Sequence, residues 1–201
     1  MIKAARQGFS WLTVLLAATL AGCASPPSRF YTLAAIAGPD GGAPAAYAVA
    51  VDSVSIPAIV DRPQFVVQKG PNRVGIDEFN RWAAPLAANI ASTLAANLGV
   101  LLGTSRVVAG PLAANVDPAY RVTVDVQRFE SVPGETVSLE AVWLLRRPGA
   151  AATTGGRSAL REAVQGEGYE ALAAAHSRAL AGISRDIAAA IRVEAGRSAA
   201  Q

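Results

Sequence analysis

Residues 120–130 read YRVTVDVQRFE. Tyr120, Val122, Val124 and Val126 alternate with Arg121, Thr123, Asp125 and Gln127, the period of a strand with one face in an apolar core and the other in water. At Arg128-Phe129 the alternation slips, as it does where a β-bulge or a strand end interrupts a ladder. A turn sequence, VPGE at 132–135, leads into Thr136–Leu145, where Val137, Leu139, Ala141, Trp143 and Leu145 share a face. Arg157–Gln165 continues the meander. This run makes the chain a sheet protein at its centre.

Upstream, Tyr47–Ile56 alternates and is stopped by Pro57, while Gln64–Gln68 and Arg73–Asp77 flank a GPN turn and read as a hairpin. Arg29–Leu33 is short and β-prone, and Ser105–Ala109 reads as a further strand. Two segments change period. From Trp82, Leu86, Ile90, Leu94 and Leu98 recur every four residues, with Pro85 near the start, where a missing N–H costs nothing, and Gly99 as the expected C′ residue. Tyr169–Glu194 carries Leu172, Ile183, Ile187 and Ile191 in a second helical stripe. The expected architecture is α+β: a mixed or antiparallel sheet with two main helices packed on one face, in a single domain.

The N-terminus carries a different message. Lys3 and Arg6 precede a twelve-residue apolar run, Phe9–Leu20, whose rise as a helix is about 18 Å, short of the ~30 Å hydrocarbon core. Basic residues, a short apolar segment and small residues in that order make an export signal. Leu20-Ala21-Gly22-Cys23 then resembles a bacterial lipobox, in which the cysteine thiol takes a diacylglyceryl group and cleavage before it frees an amine for further acylation. The plainer alternative is an ordinary secretory cleavage site with an incidental cysteine. Cys23 is the chain's one cysteine, so it has no disulfide partner within the chain, and acylation removes a reactive thiol from an oxidising compartment. Two or three acyl chains anchor a protein essentially permanently. The expected division is a signal at 1–22, lipid attachment and a short spacer at 23–28, the folded domain at 29–195 and a tail at 196–201. Ala24 and Ser25, in place of an Asp after the cysteine, favour the periplasmic face of the outer membrane, with the inner membrane as the weaker alternative.

Removing residues 1–22 takes Lys3 and Arg6 from the 18 basic residues and leaves the 15 acids untouched. A chain so near neutrality gives a nucleic-acid partner no electrostatic support. His176, the one histidine, sits four residues from both Leu172 and Leu180 and is expected as a partly buried packing residue. One cysteine and one histidine make no ordinary zinc site. Gly166-Glu167-Gly168 lacks the rest of a phosphate loop. No catalytic residue, metal or cofactor is expected. Asp61-Arg62-Pro63, at a turn where Asp caps and Pro fixes φ, and Arg81-Trp82, expected to open the first helix, are the candidates for partner contact. Turn chemistry and helix-start packing are the competing explanation for them.

SRFYTL (28–33), VDSVSIPAIVDRPQFVVQ (51–68), Asn72, FNRWAAPLAANIASTLAANLG (79–99), YRVTVDVQRFE, VSLEAVWLL (137–145) and AHSRALAGISRDIAAAI (175–191) together resemble the PqiC-like family of ABC-type transport auxiliary lipoproteins. The specific pieces are the IPAIVDRPQ and RWAAPL stretches. The alanine-rich loop at 148–156 follows no family pattern. The resemblance implies a non-enzymatic role in envelope lipid transport, beside an ABC ATPase, a permease and an MCE-domain protein that bridges the periplasm. The lipoprotein would dock that bridge at the outer membrane. A periplasmic lipid-binding lipoprotein, a structural envelope lipoprotein and a hydrolase with an unrecognised site are the rival readings, and a homo-oligomer is compatible with all of them.

Overall fold

The structure, a computed structural model, describes residues 26–110, 113, 116–150 and 152–199. Cys23 and the expected export signal at 1–22 lie outside these residues. In chain order the elements are β1 (Arg29–Tyr31), β2 (Val49–Ser55), β3 (Gln64–Gly70), β4 (Arg73–Trp82), α1 (Leu86–Leu101), β5 (Val107–Ala109), β6 (Tyr120–Val132), β7 (Thr136–Arg146), β8 (Thr153–Ala163) and α2 (Gly168–Ala199).

The α+β reading holds, with the strands divided between two sheets. A five-stranded sheet runs β5-β2-β6-β7-β8, and a three-stranded one runs β1-β4-β3. The meander β6-β7-β8 is antiparallel, whereas β2 pairs parallel with both β5 and β6. In β6 the register skips between Val126 and Arg128, so Gln127 is the extra residue where the alternation slips. Tyr120, Val122, Val124 and Val126 are buried, and Thr123, Asp125 and Gln127 face water.

Both helices cover one face of the larger sheet, α1 over β2 and β5, α2 over β7 and β8. The stripe Leu172, Ile183, Ile187 and Ile191 is buried between them. Each such side chain contributes about 1.5–3 kcal/mol by burial. Helix α1 runs past Gly99 to Leu101 because Leu98, Leu101 and Leu102 are all buried, and turning the chain at Gly99 would pull the last two out of the core. The left-handed residue that ends the helix is Gly103 (φ +63°).

An irregular strap, residues 32–37, bridges the two helices. Thr32 Oγ1 donates to Asn89 Oδ1 (3.3 Å), Ala34 N to Ser177 Oγ (3.0 Å) and Ala37 N to Asn97 Oδ1 (3.0 Å). The last two bonds satisfy backbone donors that have no strand partner.

Candidate functional site

The small sheet is held against the larger one by aromatic rings. Trp82 stacks on Phe65 (centroids 4.1 Å, planes 27° apart) and meets Phe129 edge-on at 6.0 Å, while Tyr31 and Tyr169 close around Phe65 at 5.6 and 5.2 Å. Tyr169 Oη donates to Asp77 Oδ2 at 2.8 Å. Burial alone would raise the Asp77 carboxyl, but this bond, the Asn80 and Phe79 backbone N–H groups and the Asn80 side chain together hold it below its ordinary value. Burial, then the bond to Asp77, pushes the Tyr169 phenol up.

Trp82 ends β4 instead of opening α1. Its N–H donates to Pro63 O (2.7 Å), and Ala83 N donates to Tyr31 O (2.8 Å), so the chain is still extended there. Pro85 then disfavours helical geometry at Ala84, and the helix starts at Leu86. Its first turn carries no acidic residue and no side-chain cap. On the other side Val60 N bonds Pro57 O and Arg62 N bonds Val60 O, a tight loop that brings Asp61, Arg62 and Pro63 opposite Trp82.

Between these segments lies a groove of about 360 Å³, lined by Asp61, Arg62, Pro63 and Trp82–Leu86. Trp82 and Leu86 are buried and form its base, and Asp61, Pro63 and Ala83–Pro85 are exposed at its rim. Arg62 Nε is buried with no hydrogen-bond partner. Four of the five sequence candidates therefore meet in one place. Arg81 does not: its Nε donates to Glu78 O and its Nη2 lies 3.5 Å from Glu78 Oε2. Pro85 and Leu86 belong to the groove and were legible only as a helix start.

His176 is fully buried on α2, beyond the partial burial its spacing suggests, because it faces the β6 bulge and not the helix edge. It bonds Ser131 Oγ at 2.8 Å. Among the described residues no group of three or more His, Cys, Asp or Glu is placed to hold a metal ion.

Residues 31–188 match the model of the ABC-type transport auxiliary lipoprotein component family. The chain belongs to that family. This auxiliary lipoprotein is thus a component associated with an ABC-type transport system. No curated protein matches the chain in sequence. Crystal structures that share its fold include the following two. One, of an uncharacterized protein, is 23% identical with a TM-score of 0.67, over 83% of this chain and 99% of its own. The other, of a Xanthomonas campestris protein of family DUF330, is 15% identical with a TM-score of 0.71, over 87% of this chain and 100% of its own. No helix among the described residues is long and apolar enough to cross a membrane.

Proposed function

We propose that this auxiliary lipoprotein is the non-catalytic subunit of an envelope lipid transport system, anchored at the periplasmic face of the outer membrane by acyl chains on Cys23. It docks a periplasm-spanning MCE-domain protein, and through it the permease and ATPase. The observation that carries the docking role is the groove, where Asp61, Arg62, Pro63 and Trp82 converge on an apolar base. The unpartnered Arg62 Nε and the uncapped start of α1 both favour an acidic group on the segment that enters. A docking subunit is favoured over a lipid carrier by the filling between the large sheet and the helices, where Leu139, Leu172, Leu180, Ile183 and Ile187 are buried side by side.

The test is a photo-crosslinking amino acid at Ala84 in intact cells, with Thr123, on the water-facing side of β6, as the control position. An adduct between residue 84 and an MCE-domain protein, absent at 123, is expected. Adducts only with phospholipid, or a pulldown from envelope membranes that recovers no MCE-domain protein, overturn the reading.

A further inference from the structure

The three-stranded sheet has two faces of different character. Phe65, Asp77, Tyr31, Asn80 and Trp82 point inward, as the stacking of Trp82 on Phe65 and the bonds Tyr169–Asp77 and Tyr31 Oη–Asn80 Oδ1 (2.8 Å) fix. Strand alternation turns their neighbours outward, its phase reset between Asp77 and Asn80, where Phe65 pairs with Asp77 but Gln64 with Arg81. Val66 pairs with Ile76, Gln68 with Val74 and Phe30 with Arg81, and Phe79 precedes the inward Asn80. On this outer face Phe30 is 63% exposed, Val74 and Ile76 41% each, and Phe79 39%. Ile59, which lines a 90 Å³ cavity with Val66 and Val74, is 47% exposed and extends the patch. Isolated exposed apolar residues are ordinary; five gathered on one sheet and its flanking loop are not.

The position of the anchor says what covers them. Only residues 24–28 separate Cys23 from Arg29, and five extended residues span about 17 Å. Pro26-Pro27 stiffens that spacer and prevents it from folding back freely. β1 is the edge strand that receives the spacer, and Phe30 is its second residue. The outer face is therefore held within one short tether of the lipid headgroups. Arg81, which pairs with Phe30 and has Glu78 at 3.5 Å, is the cation on this face, where cations meet anionic headgroups, while Arg29 pairs with the inward Asn80.

We propose that the outer face of the β1-β4-β3 sheet, centred on Phe30, Ile76 and Phe79, lies against the phospholipid surface, its aromatic rings entering the headgroup region as those of interfacial proteins do. The groove at Asp61–Pro63, at the end of the same sheet, stays open to a protein partner. The inference rests on acylation of Cys23.

The test uses the acylated full-length product in vesicles of phosphatidylethanolamine and phosphatidylglycerol. Acylation consumes the one native thiol, so a single introduced cysteine carries a nitroxide label uniquely. Labels in Phe30→Cys, Ile76→Cys and Phe79→Cys are expected to collide severalfold more with oxygen than with a water-soluble nickel complex, relative to a label in Thr123→Cys. Water-like accessibility at all four positions, with an acylated N-terminal peptide in the mass spectrum, overturns the face and leaves the anchor standing. Labels shielded from both reagents mean a protein surface, a second copy or a partner, and overturn it equally. An unacylated N-terminal peptide overturns both the anchor and the inference.

Discussion

The imidazole of His176 lies flat on the ring of Phe129, with centroids 3.8 Å apart and planes 6° from parallel. Phe129 sits just past the bulge of β6, so the pair joins the long helix to the place where the central strand bends. Burial depresses the imidazole to about 3 from its ordinary 6.5. Below about pH 6.5 the unfolded chain takes up a proton that the folded chain refuses. Stability is thus full above that pH and falls as the pH drops, by up to about 1.4 kcal/mol per unit, down to the folded value. Urea denaturation of wild type against His176→Phe measures the difference. The variant is expected to keep the stacking and lose that part of the slope between about pH 4.5 and about pH 6.5; parallel slopes sink the account.

Gly156 lies beneath the indole of Trp143, where a Cβ would overlap the ring. The indole N–H donates to Ser158 Oγ (3.1 Å), which in turn donates to Asp186 Oδ2 (2.5 Å) on α2. Gly156→Ala must therefore shift the ring and strain that chain of bonds, and a loss of about 1–3 kcal/mol is expected. At the neighbouring Gly155 a Cβ would meet the half-exposed Leu144 side chain at 2.9 Å, which can move aside, and Trp143 O at 3.3 Å, which needs a shift of only a few tenths of an ångström, so Gly155→Ala is expected to cost less. Denaturation midpoints of the two variants decide it: equal losses would mean that the ring contact is not the cause.

The strands of the meander, the hairpin and both helices were legible because each has one wet face, and a wet face leaves a period in the residues. The division into two sheets was not. It arises from β1 crossing to β4 and β2 to β6, pairings between residues far apart in sequence that no local period encodes. Trp82 was read as a helix residue because WAAPL begins an apolar run; its backbone bond to Pro63 is what keeps it in a strand. The groove was legible in its parts, Asp61-Arg62-Pro63 and Trp82, but not as one place, since proximity across 19 positions is a tertiary fact. The outer apolar face was hidden in the same way: Phe30, Ile76 and Phe79 each look like core residues until the pairing assigns them a side.

Asn97 on α1 is fully buried, with its Oδ1 accepting from Ala37 N and its Nδ2 left without a partner. Replacing it by Ala leaves the half-buried Ala37 N–H without its acceptor, which costs about 1 kcal/mol. The strap should loosen before the domain unfolds. Hydrogen exchange in Asn97→Ala is expected to accelerate at Ala37 and Ala34 more than at Val122 or Val124 in the central strand. Uniform acceleration would mean that Asn97 supports the fold as a whole and not the strap.

Arg192 closes the far end of the molecule. Its Nη1 donates to Ala43 O (2.9 Å), and its Nη2 to Asp40 Oδ1 (2.9 Å) and to Leu101 O (2.6 Å), one of the carbonyls left open where α1 ends. The backbone of Gly42 passes so close to the guanidinium that a Cβ there would overlap it. One side chain on α2 thereby ties down the loop at 40–43 and the end of the neighbouring helix. Arg192→Ala is expected to lose about 1–2 kcal/mol and to expose the loop to limited proteolysis between residues 38 and 46. Arg192→Lys keeps the charge but not the planar fork that spans three acceptors, so it should restore less than half of the protection. Full protection in the lysine variant would show that charge alone, through Asp40, holds the loop.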